Sequence, residues 1–293
     1  KHIFYFFFLS FFCGAQIYVP SQYSTIQEAI DFSENGQTII VSPYINNYNG
    51  LIEVNKEINI FAEGDLVTIN ASDQEFAIKI SANNVTISGF QIIGNEFTNA
   101  GIIITPGSQN ITISNNDISG MSLPNLSNES PLSYGILAYG NGDVINPPYN
   151  IIISDNFIHD ISGSAVSLGS NTSNVSILNN TISDIYPVQY MNFPTAIGVN
   201  AEFSDNLLIQ NNSFINVINA SNLLASTGSV LDNNYMDVTI LLSTYLDDKV
   251  SFFTNVYWVE FISNNIIFYL FQDTILGCMD SIACNYNSEA NTE

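Results

Sequence analysis

The feature that most constrains this chain is a short pattern, Asn-[Ile/Val]-x-Ile-x-x-Asn-x-Ile, that returns along most of its length. It reads NVTISGFQI from Asn84, NITISNNDI from Asn110, NIIISDNFI from Asn150, NVSILNNTI from Asn174 and NLLIQNNSF from Asn206. Degenerate copies start at Glu57, Gly228 and Val259, and successive starts lie between 22 and 40 residues apart. Apolar residues alternate within each copy, as in Val85 and Ile87, which predicts a strand with one buried face. A second apolar segment follows in most units, at residues 101–104, 135–137, 165–168 and 196–199. Several short strands per unit with no helix between them make each unit one turn of a parallel β-solenoid.

Aligning the units by their starts brings Asn116, Asn156, Asn180, Asn212, Asn234 and Asn265 into one column, with Phe90 in the equivalent place of an earlier unit. Stacked coils lie about 4.8 Å apart, so amides in such a column can hydrogen-bond up the stack and tolerate left-handed backbone angles at a bend. Two apolar columns accompany it and predict the interior. One is Ile87, Ile113, Ile153, Ile177, Ile209, Leu231 and Ile262; the other is Ile92, Ile118, Ile158, Ile182, Phe214, Met236 and Ile267.

Composition narrows the function. The 27 carboxylates face four Lys and no Arg, for a formal charge of −23, which excludes phosphate-backbone binding and with it nucleic acid. The same imbalance argues against anionic membrane surfaces, while an apolar fraction of 46% is too high for a disordered chain. Residues 1–15, an apolar run followed by Cys13-Gly14-Ala15, read as a secretory signal peptide too short to insert as a membrane span. A short helix is expected over 24–35, because Ser24-Thr25-Ile26-Gln27 matches a capping box, Ile26, Ala29 and Ile30 share one face, and Gly36 stops it. The solenoid domain is expected over 16–272, and 273–293 form a separate tail with Cys278 and Cys284. Over 237–271 the repeat degrades and apolar residues crowd both strand faces, so a cover for them is expected.

With these columns in place, the repeat resembles the right-handed parallel β-helix of the pectin-lyase-like superfamily over residues 37–271. Tyr18-Val19-Pro20 through Ile30-Asp31 is similar to the capping-helix entry of secreted β-helix proteins and pectin methylesterases. The segment from Gly277-Cys278 to Cys284-Asn285 resembles the Cys-containing repeat of type IX-secreted surface proteins, cut short at Glu293. The resemblance implies an all-β, single-stranded right-handed β-helix with an N-terminal capping helix, outside the cell or on its surface. It supplies no mechanism. The lyases use an Arg or Lys base beside Ca²⁺ and the esterases pair two Asp with an Arg, whereas this chain has no Arg, and Lys56, Lys79 and Lys249 lie in no matching motif. The Asn-Thr-Asp, Gly-His-Gly and Arg-Ile-Lys signatures of the polygalacturonases are absent too.

Site-like features concentrate in the middle units. Excursions at 120–133, 140–149 and 184–194 project from the solenoid and would wall a groove whose floor is a tight turn at 159–163. Tyr134, Tyr139, Tyr186, Tyr190 and Phe193 are candidate platforms for sugar rings. Asp160 and Asp184 both stand ten residues after their unit starts and would stack about one coil apart. Like charges there repel by roughly 1 kcal/mol in water and about 3 to 4 kcal/mol at an effective dielectric of 20, so one would be protonated, a cation would sit between them, or both side chains would splay into solvent or cap turns. They are candidate catalytic carboxylates with His159 as a base, and candidate Ca²⁺ ligands that would bridge to an acidic polysaccharide. Ten Asn-x-Ser/Thr sequons carry little weight, because several are the repeat itself. Two functions remain: a surface β-helix that binds a polysaccharide or other glycan without catalysis, or a glycan-degrading enzyme with an acidic groove.

Overall fold

The computed structural model describes residues 16–44, 47–64, 67–121, 132–139, 146–190, 193–245, 249–253, 258–262 and 266–269, with side chains through residue 244 apart from 189–195. The proposed signal peptide, the 273–293 tail with Cys278 and Cys284, and most of the excursions at 120–133 and 140–149 lie outside them.

The strands form two long sheets of 11 and 14 strands, in which neighbours come from successive units of the repeat. Pairing is parallel from the first coils up to Lys249–Phe253. One coil shows the plan. Tyr149–Ser154 belongs to the first sheet, the chain bends at Asp155, and Phe157–Leu168 runs through the second sheet before a turn at 169–172 leads into Ser173–Leu178. Alternation places Ile151, Ile153, Ile158, Ile161, Val166 and Leu168 of this coil inside, all fully buried.

Three columns of left-handed residues make the bends. The unit starts Asn84, Asn110, Asn150, Asn174 and Asn206 have φ between 52° and 58°. Asn115, Asp155, Asn179, Asn211 and Asp232 form the second column, and Asp160, Asp184, Asn216 and Asp237 the third. Asn and Asp tolerate this conformation better than other non-glycine residues, so backbone geometry alone explains their recurrence in the repeat.

The expected amide ladder is present one residue after the second bend. The left-handed angles therefore belong to Asn115 and its equivalents rather than to Asn116. Asn116, Asn156, Asn180, Asn212 and Asn233 are buried, and each of the first four donates its backbone and side-chain N–H to the next Asn Oδ1. Phe90 holds the equivalent place below and donates its N–H to Asn116 Oδ1 at 3.0 Å.

The last copies differ from expectation. Ser213 pairs with Asn234, so the ladder residue is Asn233, and the apolar columns continue through Val230 and Tyr235 instead of Leu231 and Met236. The unit starts one residue earlier than its sequence suggests, because Thr227 takes the position of Asn206 and Gly228 faces Leu207, where a Cβ would meet Leu207 O at 2.3 Å. The copy at Val259 is no coil. Trp258–Ile262 runs antiparallel to Lys249–Phe253, and Ile266–Tyr269 antiparallel to Asn234–Tyr245, which leaves Ile262 and Ile267 outside the interior columns. Doubling back in this way pairs the edge of the last coil without a further full turn. Asn265 lies outside the described residues.

A column of small residues, Ala77, Gly101, Gly135, Ala165, Gly198 and Ala220, faces the interior between paired neighbours. It makes room for large side chains across the coil: a Cβ on Gly198 would stand 2.5 Å from the Phe214 ring. The helix α1 spans Ile26–Phe32, shorter than 24–35. Its N-cap is Thr25, whose Oγ1 accepts from Glu28 N at 3.1 Å, so the box reads Thr25-Ile26-Gln27-Glu28, one residue later than expected. Buried Ile26, Ala29 and Ile30 lie on the helix face against strands Gln16–Val19, Thr38–Val41 and Ile52–Val54.

Candidate functional site

His159, Asp160 and Tyr186 come together on the outer surface of the second sheet. The segment 159–163 is not a turn but part of the 12-residue strand Phe157–Leu168, bent at Asp160 and Gly163, whose φ values are 53° and 121°. His159 is held on both sides: Nδ1 lies 2.7 Å from Asp160 Oδ2, and Nε2 lies 3.0 Å from Asp117 Oδ1 of the preceding coil. Its ring stacks on Phe157, centroids 4.0 Å apart at 21°. As an imidazolium, the ring donates to both carboxylates. As a neutral imidazole, it would turn a lone pair toward one of them.

Asp160 also receives the Tyr186 hydroxyl, at 3.0 Å on Oδ1. That hydrogen bond, then partial burial and the charges of Asp160 and Asp184, raise the tyrosine hydroxyl above its ordinary range. Asp184 stands one coil further on. His159 pairs with Ser183 and Ile161 with Ile185, so the two aspartates occupy equivalent places, as the repeat predicts. Asp184 Oδ1 accepts from Asn216 Nδ2 at 2.8 Å.

Tyr134 lies on the neighbouring strip, paired with Ser164 and Ala100, and Tyr139 is exposed after that strand. The excursion after Tyr186 forms an antiparallel hairpin, Val188–Tyr190 with Phe193–Thr195, in which Tyr190 pairs with Phe193. The side chains of Tyr190 and Phe193 lie outside the described ones.

Two parts of the surface escape the sequence. Asp117, the second clamp on His159, lies 42 residues from it, so only the register brings them together. The other is a polar row across the last coils: Asn222 Nδ2 donates to Asn200 Oδ1, Ser243 Oγ to Asn222 Oδ1, and Asn219 Nδ2 to Ser243 Oγ, each at 2.7 Å. At the opposite end, a groove of about 470 Å³ lies beside α1, lined by Thr25, Gln27, Tyr44, Tyr48, Asn49 and Leu51 among others. Among the described residues no group of three or more His, Cys, Asp or Glu side chains could hold a metal ion, and no helix is long and apolar enough to cross a membrane.

Residues 100–291 match the family described as the right handed beta helix region. The chain belongs to that family. A stretch of 74 residues is 42% identical to the cell surface glycoprotein of Methanothermus fervidus, covering 25% of this chain and 12% of that protein. The chain thus spans only about an eighth of its curated relative. Among solved structures, the fold is similar to an alginate lyase from a Paenibacillus species, with TM-score 0.53 and 14% identity over 75% of this chain and 95% of that one. It is also similar to the surface adhesin PfbA of Streptococcus pneumoniae, with TM-score 0.54 and 12% identity over 82% and 79% of the two chains. At such identities the likeness is one of fold.

Proposed function

We propose that this protein is a secreted or cell-surface β-helix that binds glycans along the outward strip of its middle coils and does not cleave them, with α1 closing the N-terminal end of the stack. One observation carries the reading: each acid–base group of the strip is already tied to a protein partner. His159 has both nitrogens against carboxylates, Asp160 has one oxygen on His159 and the other on Tyr186, and Asp184 is bonded to Asn216. Tyr186 is held in its protonated form, which unsuits it to act as a base at neutral pH. Beside these groups stand two half-exposed aromatic side chains, Phe157 and Tyr186, of the kind that stack on sugar rings. The surface relative and the polysaccharide-acting and adhesive neighbours are compatible with this reading.

Calcium has a weaker footing. Ca²⁺ takes about six to eight oxygen ligands, and two aspartates with partners of their own supply few. The stacking of Asp160 and Asp184 favours the enzymatic alternative, since the carboxyls of retaining glycosidases stand about 5 to 5.5 Å apart. A panel of soluble polysaccharides, assayed in parallel for binding and for new reducing ends or unsaturated products, separates the two. Binding without turnover is expected, weakened by Tyr186→Ala. Turnover that Asp160→Asn or Asp184→Asn abolishes would establish the enzyme instead.

A further inference from the structure

The second sheet begins at an edge that the protein completes only in part. On Ile52–Val54, Glu53 N donates to Gln27 Oε1 at 2.8 Å and Glu53 O accepts from Gln27 Nε2 at 3.4 Å, so an amide of α1 stands in for a missing strand. The strand Tyr48–Asn49 has no such cover. Gly50 N donates to Asn70 O in the next coil, and alternation turns the N–H and C=O of Asn49 to the outer edge, where they meet no partner among the described residues. That edge opens into the groove of about 470 Å³ beside α1, a size within the roughly 300 to 1,000 Å³ of ligand sites.

The groove joins an aromatic platform to amides and carries no charge. Tyr44 is exposed, and its ring lies 5.8 Å from that of buried Tyr48, whose hydroxyl is fixed on Ser42 O at 2.7 Å. The platform is thus held from behind. Asn47 and Asn49 are exposed in the same lining, and Asn47 N donates to Tyr44 O at 3.2 Å. Residues 24–27 and 42–52, which supply the lining, contain no charged side chain in a chain with 27 carboxylates. The acids that flank these segments are engaged elsewhere: Glu28 accepts from Ser24 N and Oγ, and Glu53 pairs with Lys79 at 3.2 Å.

Register connects this groove to the middle coils. Asn49 pairs with Asn70, Asn70 with Ile93, Ile93 with Ser119, and Ser119 with His159. Asn49 therefore stands at the foot of the His159 column, four strand spacings or roughly 19 Å away. Amides and open main-chain groups offer donors and acceptors together, the tyrosine offers a flat apolar face, and nothing in the lining compensates a charge. Hydroxyls around an apolar ring face match that set, whereas a uronate, a sulfate or an amino sugar would leave its charge unpaired. We infer that the groove binds a neutral sugar unit, its ring on Tyr44 and its hydroxyls on Asn47, Asn49 and the open edge, as the N-terminal contact of a glycan lying along the column. This rests on the glycan-binding reading and adds to it a second contact and the kind of unit held there.

The test titrates the intact protein with disaccharides of glucose, mannose and xylose by ligand-observed NMR, and by calorimetry with their hexasaccharides and those of galacturonic acid and glucosamine. A neutral disaccharide, too short to span both places, should bind with an affinity that salt does not change. Tyr44→Ala should weaken it at least about tenfold, Tyr44→Phe should keep it, and Tyr186→Ala should leave it untouched. The matching hexasaccharide should bind more tightly and weaken in both alanine variants. Asn47→Gly, which suits the left-handed backbone at φ 57° and removes the amide, should weaken the disaccharide severalfold; it keeps the test decisive if Tyr44→Ala fails to fold. Neutral disaccharides that do not bind, or that bind unchanged in Tyr44→Ala and Asn47→Gly, would overturn the inference. So would an effect of these variants on the charged hexasaccharides alone, or self-association lost in Tyr44→Ala, which would give the groove to a second copy of the chain. Binding that still depends on Tyr186 leaves the glycan-binding reading standing in each of these cases. If no oligosaccharide binds and the wider polysaccharide panel is also silent, both fall.

Discussion

Asn116 and Asn156 are 40 residues apart in sequence and adjacent in space, where Asn156 Oδ1 accepts both the backbone N–H and the side-chain amide of Asn116, at 3.0 and 3.1 Å. The Asn116 amide also donates to Ile87 O at 3.2 Å, in the coil on its other side. Each rung of this ladder therefore ties three coils together with buried amides.

Replacing Asn180 by Leu tests the ladder at its middle. The change removes the acceptor for Asn156 N and Nδ2, both at 3.0 Å, and the donor to Ile153 O at 2.9 Å. Buried groups left unpaired cost about 1 to 3 kcal/mol. Chemical denaturation should show a loss of that order, with the slope of the transition unchanged. A loss below the error of the measurement would mean that the ladder is ornamental.

The small interior column predicts a different kind of failure. A Cβ on Gly135 would meet Ala165 O and Ile158 Cγ2, each at 2.6 Å, and neither backbone nor packed Ile can retreat far. Gly135→Val should therefore cost at least the roughly 1 to 3 kcal/mol typical of overpacked cores, read as a lowered melting temperature or loss of soluble protein. Ile103→Val, on the strand of the preceding coil and less crowded, is the control and should change little.

Why the sequence discloses some of this and not the rest follows from what a repeat can encode. Asn116, Asn156, Asn180 and Asn212 share one offset from their unit starts, so the ladder is visible as a column. The slip at Thr227 is not, because Asn233 and Asn234 are the same residue type and either completes the column on paper. Gly101, Gly135, Ala165 and Gly198 read as starts of strands, but their shared role emerges only when Phe214, Ile118 and Ile158 are placed opposite them. At the candidate site, the stacking of Asp160 and Asp184 follows from register. The Asp117 contact to His159 needs the register and, besides it, a side chain that reaches off its own column, since Asp117 is paired with Phe157 and His159 with Ser119.

The helix offers a simpler check. Thr25 satisfies Glu28 N, and Glu28 in turn accepts from Ser24 N at 3.0 Å and Ser24 Oγ at 2.9 Å. Thr25→Ala should cost about 0.5 to 2 kcal/mol, as lost N-caps do. Thr25→Ser, which keeps the hydroxyl, should restore most of that in a thermal melt. If Ser behaves like Ala, the cap is not what holds the helix in place.

The Tyr186–Asp160 bond makes a prediction about alkaline pH. Ionising the hydroxyl would break a 3.0 Å hydrogen bond and set a phenolate beside Asp160 and Asp184, which is why the folded protein holds this proton more tightly than the unfolded chain. For an acid whose pKa is raised on folding, the stabilisation is complete below the unfolded value, about 10 for tyrosine, and is lost as pH climbs through the folded value. The contribution is thus constant across neutral pH and decays only in the alkaline range. Difference absorbance of the phenolate should show, besides Tyr48 and Tyr235, which burial also raises, a further late-titrating tyrosine that is missing in Tyr186→Phe. In Asp160→Asn, that tyrosine should titrate earlier, because its carboxylate acceptor and one neighbouring charge are gone. The alkaline loss of stability should shrink in both variants. A Tyr186 that titrates at the same pH in Asp160→Asn as in the unsubstituted protein would show that burial alone, not the Asp160 bond, holds the proton.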